Sequence, residues 1–356
     1  MINHLQYVPI LRWKKGEKIA LRELYPHQKS HITPLIEFMP NNFVLQNKVI
    51  DMKATSERFA EEVNDYWGTD SIFLDFENIT QMSQSNLAAQ ILRKISGCWL
   101  KLNLDIIPVT TFHRQQSYQD LVKYLVDQNN IDICLRLNYR SILSSNFRTD
   151  LDLLLDYLKI TPEKTHLIID YKIIGNNSDI FSNISTLIPN KASWKSFIFA
   201  SGAFPENLSG FLPGQHFIKR NDWIYWFENM FIIKSERTPT YCDYTIQYPQ
   251  YIEPPKYSNP SASIRYTSHD YWVIMRGEGL NNRSGSGYAQ YPANAQLLMS
   301  LPEFCGAKFS DGDKYIFDKG SNLNTPKTGN PETWIRAGIN HHIAFVVDQL
   351  SNLTGL

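Results

Sequence analysis

The sequence predicts an α/β fold in which eight parallel strands and their helices close a (β/α)₈ barrel of the TIM type. Short apolar runs alternate with longer runs of helical periodicity, the strand-like runs number eight, and polar residues collect at their carboxyl-terminal ends. Such alternation is typical of parallel strands joined by helical crossovers, and eight strands close a barrel. An open doubly wound sheet is the alternative, but it usually has fewer strands, and no GxGxxG motif follows the first run.

The strand-like runs are rich in β-branched and other apolar residues and are bounded by turn residues. They lie at 7–14, 32–38, 71–77, 105–111, 133–138, 166–172, 196–202 and 240–246. Between them, apolar residues recur three or four positions apart, as Leu87, Ile91 and Ile95 do, which predicts helices. These helices are expected at 19–24, 51–67, 83–100, 118–128, 150–158, 180–188 and 222–232.

The eighth helix is expected only after a long insertion. Residues 249–260 indicate an extended linker, 262–277 a hairpin, 278–292 a turn-rich loop, 294–301 a short helix and 309–316 a turn with a strand. Asn330 followed by Pro331 is a typical helix start. We therefore expect one barrel domain over 1–356, with an insertion at 249–329 over the carboxyl-terminal mouth as a candidate lid and a closing helix at 330–351.

The composition limits the classes of function. The chain has 356 residues, of which 43% are hydrophobic, and its 35 Lys and Arg balance 35 Asp and Glu. Zero net charge disfavours bulk nucleic-acid binding. There is no signal-peptide pattern and no apolar stretch near the ~18 residues of a membrane span. The four cysteines form no CxxC pair, so we expect a cytoplasmic protein without a membrane partner.

Strand parity locates a candidate site. Asp75 and Glu77 lie two residues apart at the end of the third run, so they share one face. The same parity selects mostly polar residues toward the carboxyl-terminal strand ends, which form the catalytic face of such barrels. The opposite face is apolar, as helix cover requires. The inward set is Arg12, Lys14, Thr33, Glu37, Asp75, Glu77, Val109, Thr111, Arg136, Asn138, His166, Asp170, Lys172, Ser201 and Asp243.

The acidic members of this set suit two kinds of chemistry. Converging carboxylates can bind Mg²⁺ or Mn²⁺ or act as an acid and base pair. The alternative is a neutralised charge network, because Lys14, Arg136 and Lys172 share the face. A Schiff-base role for Lys172 is disfavoured because Asp170 would keep it charged. The residues predicted to be catalytic are Glu37, Asp75, Glu77, Asp170 and Lys172.

Other residues are predicted to hold the substrate. Arg136 and Lys172 suit a phosphate or carboxylate, and His113 follows the fourth run. On the hairpin, Trp272 and Arg276 share parity and could stack on a base or sugar, although hairpin core packing is the alternative. The predicted substrate-binding residues are Lys14, His113, Arg136, Asn138, Asp243, Trp272 and Arg276.

Several motifs resemble the beta family proteins, a group of bacterial and phage-associated proteins. They are YVPILRWKKGEKIALREL, ITPLIEF, LDFE, CDYTIQYP and the distinctive GNPETWIRAGINHHIAFVVDQL. The resemblance covers essentially the whole chain. It implies a place in phage or mobile-element conflict and supplies no catalytic residue.

Two functional hypotheses follow. The first is a hydrolase of a phage-defence (antiviral) or mobile-element module that acts on a phosphodiester or nucleotide-like substrate. The second is a non-catalytic sensor or scaffold barrel that binds a small anionic ligand, a nucleotide or a partner protein of that module.

Overall fold

The computed structural model describes residues 2–80, 86–176, 180–232, 237–253, 255, 257–282 and 286–355. The chain divides into two compact units. Unit 1 comprises Met1–Lys14, Thr33–Ser201 and Tyr225–Asp243, and unit 2 comprises Lys15–Ile32, Gly202–Ile224 and Tyr244–Leu356.

Strands and helices alternate through most of the chain. The described strands are β1 (Tyr7–Leu11), β2 (Leu35–Glu37), β3 (Leu45–Gln46), β4 (Val49–Ile50), β5 (Ile72–Asp75), β6 (Ile106–Thr110), β7 (Ile133–Asn138), β8 (Thr165–Ile173), β9 (Ser196–Gly202), β10 (Gly214–Lys219), β11 (Thr240–Asp243), β12 (Ile264–Thr267) and β13 (Tyr271–Arg276). The described α-helices are α1 (Lys15–Arg22), α2 (Pro26–Lys29), α3 (Met52–Tyr66), α4 (Glu77–Thr80), α5 (Leu87–Leu102), α6 (Gln116–Asn129), α7 (Tyr139–Ile142), α8 (Phe147–Leu158), α9 (Ile180–Leu187), α10 (Asn221–Ile232), α11 (Gln290–Met299), α12 (Asp311–Gly320) and α13 (Pro331–Ser351).

Unit 1 contains a closed barrel of parallel strands, which confirms the predicted fold. Around the barrel the order is β1, β2, β5, β6, β7, β8, β9 and β11, which returns to β1. Each of the eight predicted runs overlaps one of these strands. The register places Glu37 beside Asp75 and Asn138 beside Asp170. The carboxyl-terminal end of the barrel, called the mouth below, therefore collects side chains that are far apart in sequence.

The barrel helices begin and end at residues suited to those positions. Asp51 caps α3 by accepting a hydrogen bond from the amide of Ala54 at 2.9 Å. Asn103 ends α5 and Asn130 ends α6, both with left-handed backbone conformations, which asparagine adopts more readily than most residues. Residues 83–85, the predicted start of the helix at 83–100, lie outside the described residues.

Unit 2 contains an antiparallel sheet in the order β10, β13, β12. The predicted hairpin is present as β12 and β13, and β10 had not been predicted. Tyr266, Tyr291, Ile316 and Trp334 pack in one buried apolar cluster of this unit. Helix α13 starts as predicted, because the side chain of Asn330 accepts a hydrogen bond from the amide of Thr333 at 3.0 Å.

One element of unit 2 differs from its prediction. Residues 309–316 were expected to form a turn and a strand, and that expectation is wrong because α12 occupies Asp311–Gly320. The hydroxyl of Ser310 accepts a hydrogen bond from the amide of Asp313 at 3.1 Å, so Ser310 is a helix N-cap.

The placement of 249–329 over the mouth stays a prediction, and residues 254, 256 and 283–285 of that insertion lie outside the described residues. Among the described helices, none is both long and apolar enough to cross a membrane.

Candidate functional site in the barrel mouth

Arg136, on β7, is the centre of a buried network of ion pairs. Its Nε and Nη2 atoms lie 2.9 and 2.8 Å from Oδ2 of Asp170. Its Nη1 atom donates to Oε1 of Glu37 at 2.9 Å and to Oδ2 of Asp75 at 2.7 Å. The same atom lies 3.4 Å from Oε2 of Glu77. One guanidinium therefore joins carboxylates from β2, β5 and β8, together with the residue that opens α4.

Three further cations belong to the network: Arg12, Arg114 and Lys172. Arg114 pairs with Oδ1 of Asp75. The ammonium of Lys172 lies 2.7 Å from Oε2 of Glu77 and 3.3 Å from Oδ2 of Asp170. Within the described residues, the network thus joins four carboxylates and four cations: Glu37, Asp75, Glu77 and Asp170 with Arg12, Arg114, Arg136 and Lys172. The formal charges of these eight groups cancel, as is usual for buried charged groups.

The network holds two of its members in their charged forms. Burial alone would raise the pKa of Asp75, but Arg114 and Arg136 outweigh it, so the pKa is lowered. For Lys172, burial and Arg136 lower the pKa, whereas Asp170 and Glu77 raise it more, so the pKa is raised overall. Lys172 therefore stays an ammonium ion near neutral pH and lacks the free lone pair that a Schiff base requires.

Two of the carboxylates accept a hydrogen bond from the backbone amide two residues further along the chain. β5 ends at Asp75, and the amide of Glu77 donates to Oδ1 of Asp75 at 3.0 Å. The amide of Lys172 donates to Oδ1 of Asp170 at 2.8 Å. Lys172 has a φ of 58°, in the left-handed region that costs a residue with a Cβ atom about 1 kcal/mol or more. Local carboxylate-to-amide bonds thus fix the directions of Glu77 and Lys172.

A cavity of about 240 Å³ opens above the network. Glu77 and Lys172 keep 27% and 26% of their side chains exposed, whereas Asp75 and Asp170 are buried. His113 is exposed on the same wall. The groups that a ligand could meet directly are therefore at the rim. The lining residues are Asp75, Glu77, Thr111, His113, Arg114, Arg136, Asn138, Ser141, Asp170 and Lys172.

The structure brings most of the predicted site residues together, but some lie elsewhere. Glu37 belongs to the network but does not line the cavity, and neither does Lys14. Asp243 is fully buried and accepts hydrogen bonds from the hydroxyls of Tyr7 and Tyr241.

The two hairpin candidates belong to unit 2. Trp272 is fully buried on β13. The Nε atom of Arg276 donates to the carbonyl of Leu208 at 3.1 Å, and Arg276 lines a separate cavity of that unit.

Sequence reasoning missed Arg114 and Ser141. Both lie beyond the ends of strands, where the two-residue parity used to select inward side chains no longer applies. A weak signal for Arg114 exists, because it directly follows the predicted His113 in the loop after β6.

The mouth is a poor fit for Mg²⁺ or Mn²⁺. In the described ranges, no group of three or more His, Cys, Asp or Glu side chains is placed to hold a metal ion. The mouth carboxylates accept hydrogen bonds from Arg136, Arg114 and Lys172 instead, and these cations would repel a divalent ion.

The chain matches a known protein family. A family model described as Beta protein matches residues 7–348, nearly the whole chain. No curated protein matches the chain. The family description names no reaction, substrate or partner.

Proposed function

Since the chain belongs to the Beta protein family, whose description specifies no activity, we propose a function from the mouth itself: the barrel binds a small phosphodiester or nucleotide-like ligand that carries one negative charge. The observation that carries this proposal is the cavity of about 240 Å³ whose rim presents Lys172 and His113 above a charge-balanced network.

The charge count supports a singly charged ligand. The four carboxylates and four cations of the network cancel, so these eight groups supply no surplus positive charge for a multiply charged anion. A phosphodiester carries one negative charge, and the partly exposed ammonium of Lys172 and the ring nitrogens of His113 can bind its non-bridging oxygens. A phosphomonoester carries nearly two negative charges, so its binding would leave more charge uncompensated.

The uncharged groups of the cavity suit the same ligand. Thr111 and Ser141 contribute hydroxyls that both donate and accept hydrogen bonds, and Asn138 contributes an amide. Lys172 supports the proposal in a second way, because its left-handed backbone is the kind of strain that clusters at ligand sites.

Calorimetric titration tests the binding proposal. We expect nucleoside 3′,5′-cyclic monophosphates to bind, and the Lys172→Met variant to bind at least about tenfold more weakly, because a charge-assisted hydrogen bond is lost. The matched control is Lys101→Met, an exposed lysine on α5 that should leave affinity unchanged. Absence of binding, or equal affinity of the Lys172→Met variant, would contradict the proposal.

Hydrolysis of the bound phosphodiester is the second candidate function. It is favoured by the presence of Glu77 and His113, a carboxylate and an imidazole, on the same cavity as Lys172. Glu77 would take a proton from the water that attacks phosphorus, and His113 would give one to the leaving oxygen. Lys172 would stabilise the charge on the non-bridging oxygens. The buried carboxylates of Glu37, Asp75 and Asp170 would hold Arg136.

A chromogenic diester separates the two candidates. Under the hydrolase proposal, bis(p-nitrophenyl) phosphate releases nitrophenolate, and Glu77→Gln slows the release by about 10²- to 10⁴-fold. Binding without turnover would instead assign the mouth to a sensor.

The biological setting rests on the resemblance to phage-associated proteins. We propose that the ligand acts in a phage-defence or mobile-element module of the cytoplasm, in keeping with the free cysteines. Equal plaque counts with and without the chain, expressed beside its neighbouring genes, would contradict that setting.

A further inference from the structure

A second cavity, of about 300 Å³, adjoins the mouth cavity in unit 1. His113 and Arg114 line both cavities. The second cavity differs in its side chains, because its lining includes Phe112, Leu154 and Tyr157. Each cavity alone is at or below the small end of the usual range for small-molecule sites, about 300–1,000 Å³. Taken together, the two cavities fall within that range.

The aromatic ring of Tyr157 is held in place by its surroundings. Its hydroxyl donates to Oδ1 of Asp120 and accepts a hydrogen bond from Nε2 of Gln116 at 2.7 Å. The ammonium of Lys123 lies 4.5 Å from the centre of its ring. A side chain that is already ordered loses little further entropy when a ligand packs against it. Tyr157 is therefore a preorganised wall for a flat ligand group.

Two more residues of this cavity indicate what such a group would be. Leu153 lines the second cavity with 62% of its surface exposed. A ligand could therefore bury apolar surface of Leu153. Asp150 lines it from the first turn of α8. None of the described residues forms a hydrogen bond with the Asp150 side chain. A carboxylate accepts hydrogen bonds and donates none, so Asp150 would select a ligand edge that carries N–H groups.

We propose that the two cavities form one bipartite site in which the mouth holds a phosphodiester and the second cavity holds a nucleobase. The inference rests on the proposed binding function and names its ligand class. The base would pack on Phe112 and Tyr157, because aromatic side chains are platforms for bases. Asp150 would accept hydrogen bonds from the base edge. Guanine is the preferred base, since it offers two adjacent N–H groups on one edge.

Matched probes test this inference. Guanosine 3′,5′-cyclic monophosphate is compared with the same cyclic ribose phosphate that has hydrogen in place of the base. We expect the nucleotide to bind at least about tenfold more tightly, and Tyr157→Ala to weaken it about fivefold or more. Asp150→Asn should reduce the preference for the guanosine over the uridine cyclic nucleotide by about tenfold. Both variants should bind the base-free probe as the parent does.

The controls keep the two proposals separate. Tyr124→Ala, at an exposed tyrosine of α6 outside the cavity, should leave every affinity unchanged. If Tyr157→Ala fails to fold, Leu153→Ser takes its place, because this exposed position tolerates a polar side chain and the loss of apolar contact should weaken binding of the nucleotide but not of the base-free probe. Equal affinity of the parent chain for the two probes overturns the base cavity while leaving the phosphodiester site intact. Binding of neither probe overturns the proposed function instead.

Discussion

Replacement of Arg136 by leucine tests the central ion-pair network most directly. The change removes the guanidinium that contacts Glu37, Asp75 and Asp170 and leaves these buried carboxylates without their shared partner. Removal of one member of a buried ion pair typically costs 3–5 kcal/mol, because an uncompensated charge remains. We therefore expect the free energy of unfolding at pH 7 to fall by about 3–5 kcal/mol.

The direction in which the cost of Arg136→Leu changes with pH can also be predicted. In the parent chain, the pKa of Asp75 is lowered, so its contribution to stability is present above the unfolded-state pKa of about 3.9 and is lost as pH falls through the folded value. In the variant, burial favours the protonated carboxylates. The folded variant then binds more protons than its unfolded state, and its stability rises as pH falls. The cost of the substitution should accordingly be smaller at pH 5 than at pH 7.

Urea unfolding at the two pH values measures both effects from the transition midpoint and slope. Arg140→Leu is the matched control, because Arg140 is exposed and should change stability by less than about 0.5 kcal/mol. The reasoning is refuted if Arg136→Leu costs less than about 1 kcal/mol at pH 7, or if its cost is the same at pH 5.

Three predictions concern unit 2. Asp313→Asn should cost about 3 kcal/mol at pH 7, because buried His341 loses its carboxylate partner at 2.8 Å. Since His341 and hydrogen bonds lower the pKa of Asp313 against the effect of burial, that cost should shrink below pH 4; a cost independent of pH in urea unfolding would contradict this. Gly312→Ala should cost about 1–3 kcal/mol in the same assay, because a Cβ atom would overlap the carbonyl of Ala337, and an unchanged midpoint would show that α12 shifts freely. Asn330→Ala should cost about 1 kcal/mol through loss of the α13 cap, whereas Asn330→Asp should preserve stability.

The barrel could be predicted because its signals are local. The strand-like runs are apolar on both faces, as strands of a helix-covered parallel sheet must be, and each is followed by a helical period. The correct helix start at Asn330 is local in the same way, since a cap needs only a few consecutive residues. The helix at 311–320 also has a local signal in the sequence, which the prediction of a turn and strand at 309–316 overlooked. Ser310, three residues before Asp313, is a capping pattern, whereas Asp311, Gly312 and Asp313 are residue types that are also typical of a turn.

The site could be predicted only in part, for reasons that differ between residues. Parity selected Asp75, Arg136 and Asp170, because all three lie within strands. Arg114 lies in a loop, where the chain direction depends on packing and has no fixed period. For Asp243, parity gave no warning that the hydroxyls of Tyr7 and Tyr241 would hold its carboxylate away from the cavity.

The sequence by itself determined that this chain forms an eight-stranded barrel with charged residues at one end, because strand period and helix period are properties of neighbouring residues. Only the tertiary structure decided which charges neutralise one another, since Glu37 and Arg136 are 99 residues apart and meet at 2.9 Å only when the barrel closes. It also decided that Glu77 and Lys172 stay partly exposed while Asp75 and Asp170 are buried. Exposure depends on everything packed around a side chain, and that information is spread over the whole chain.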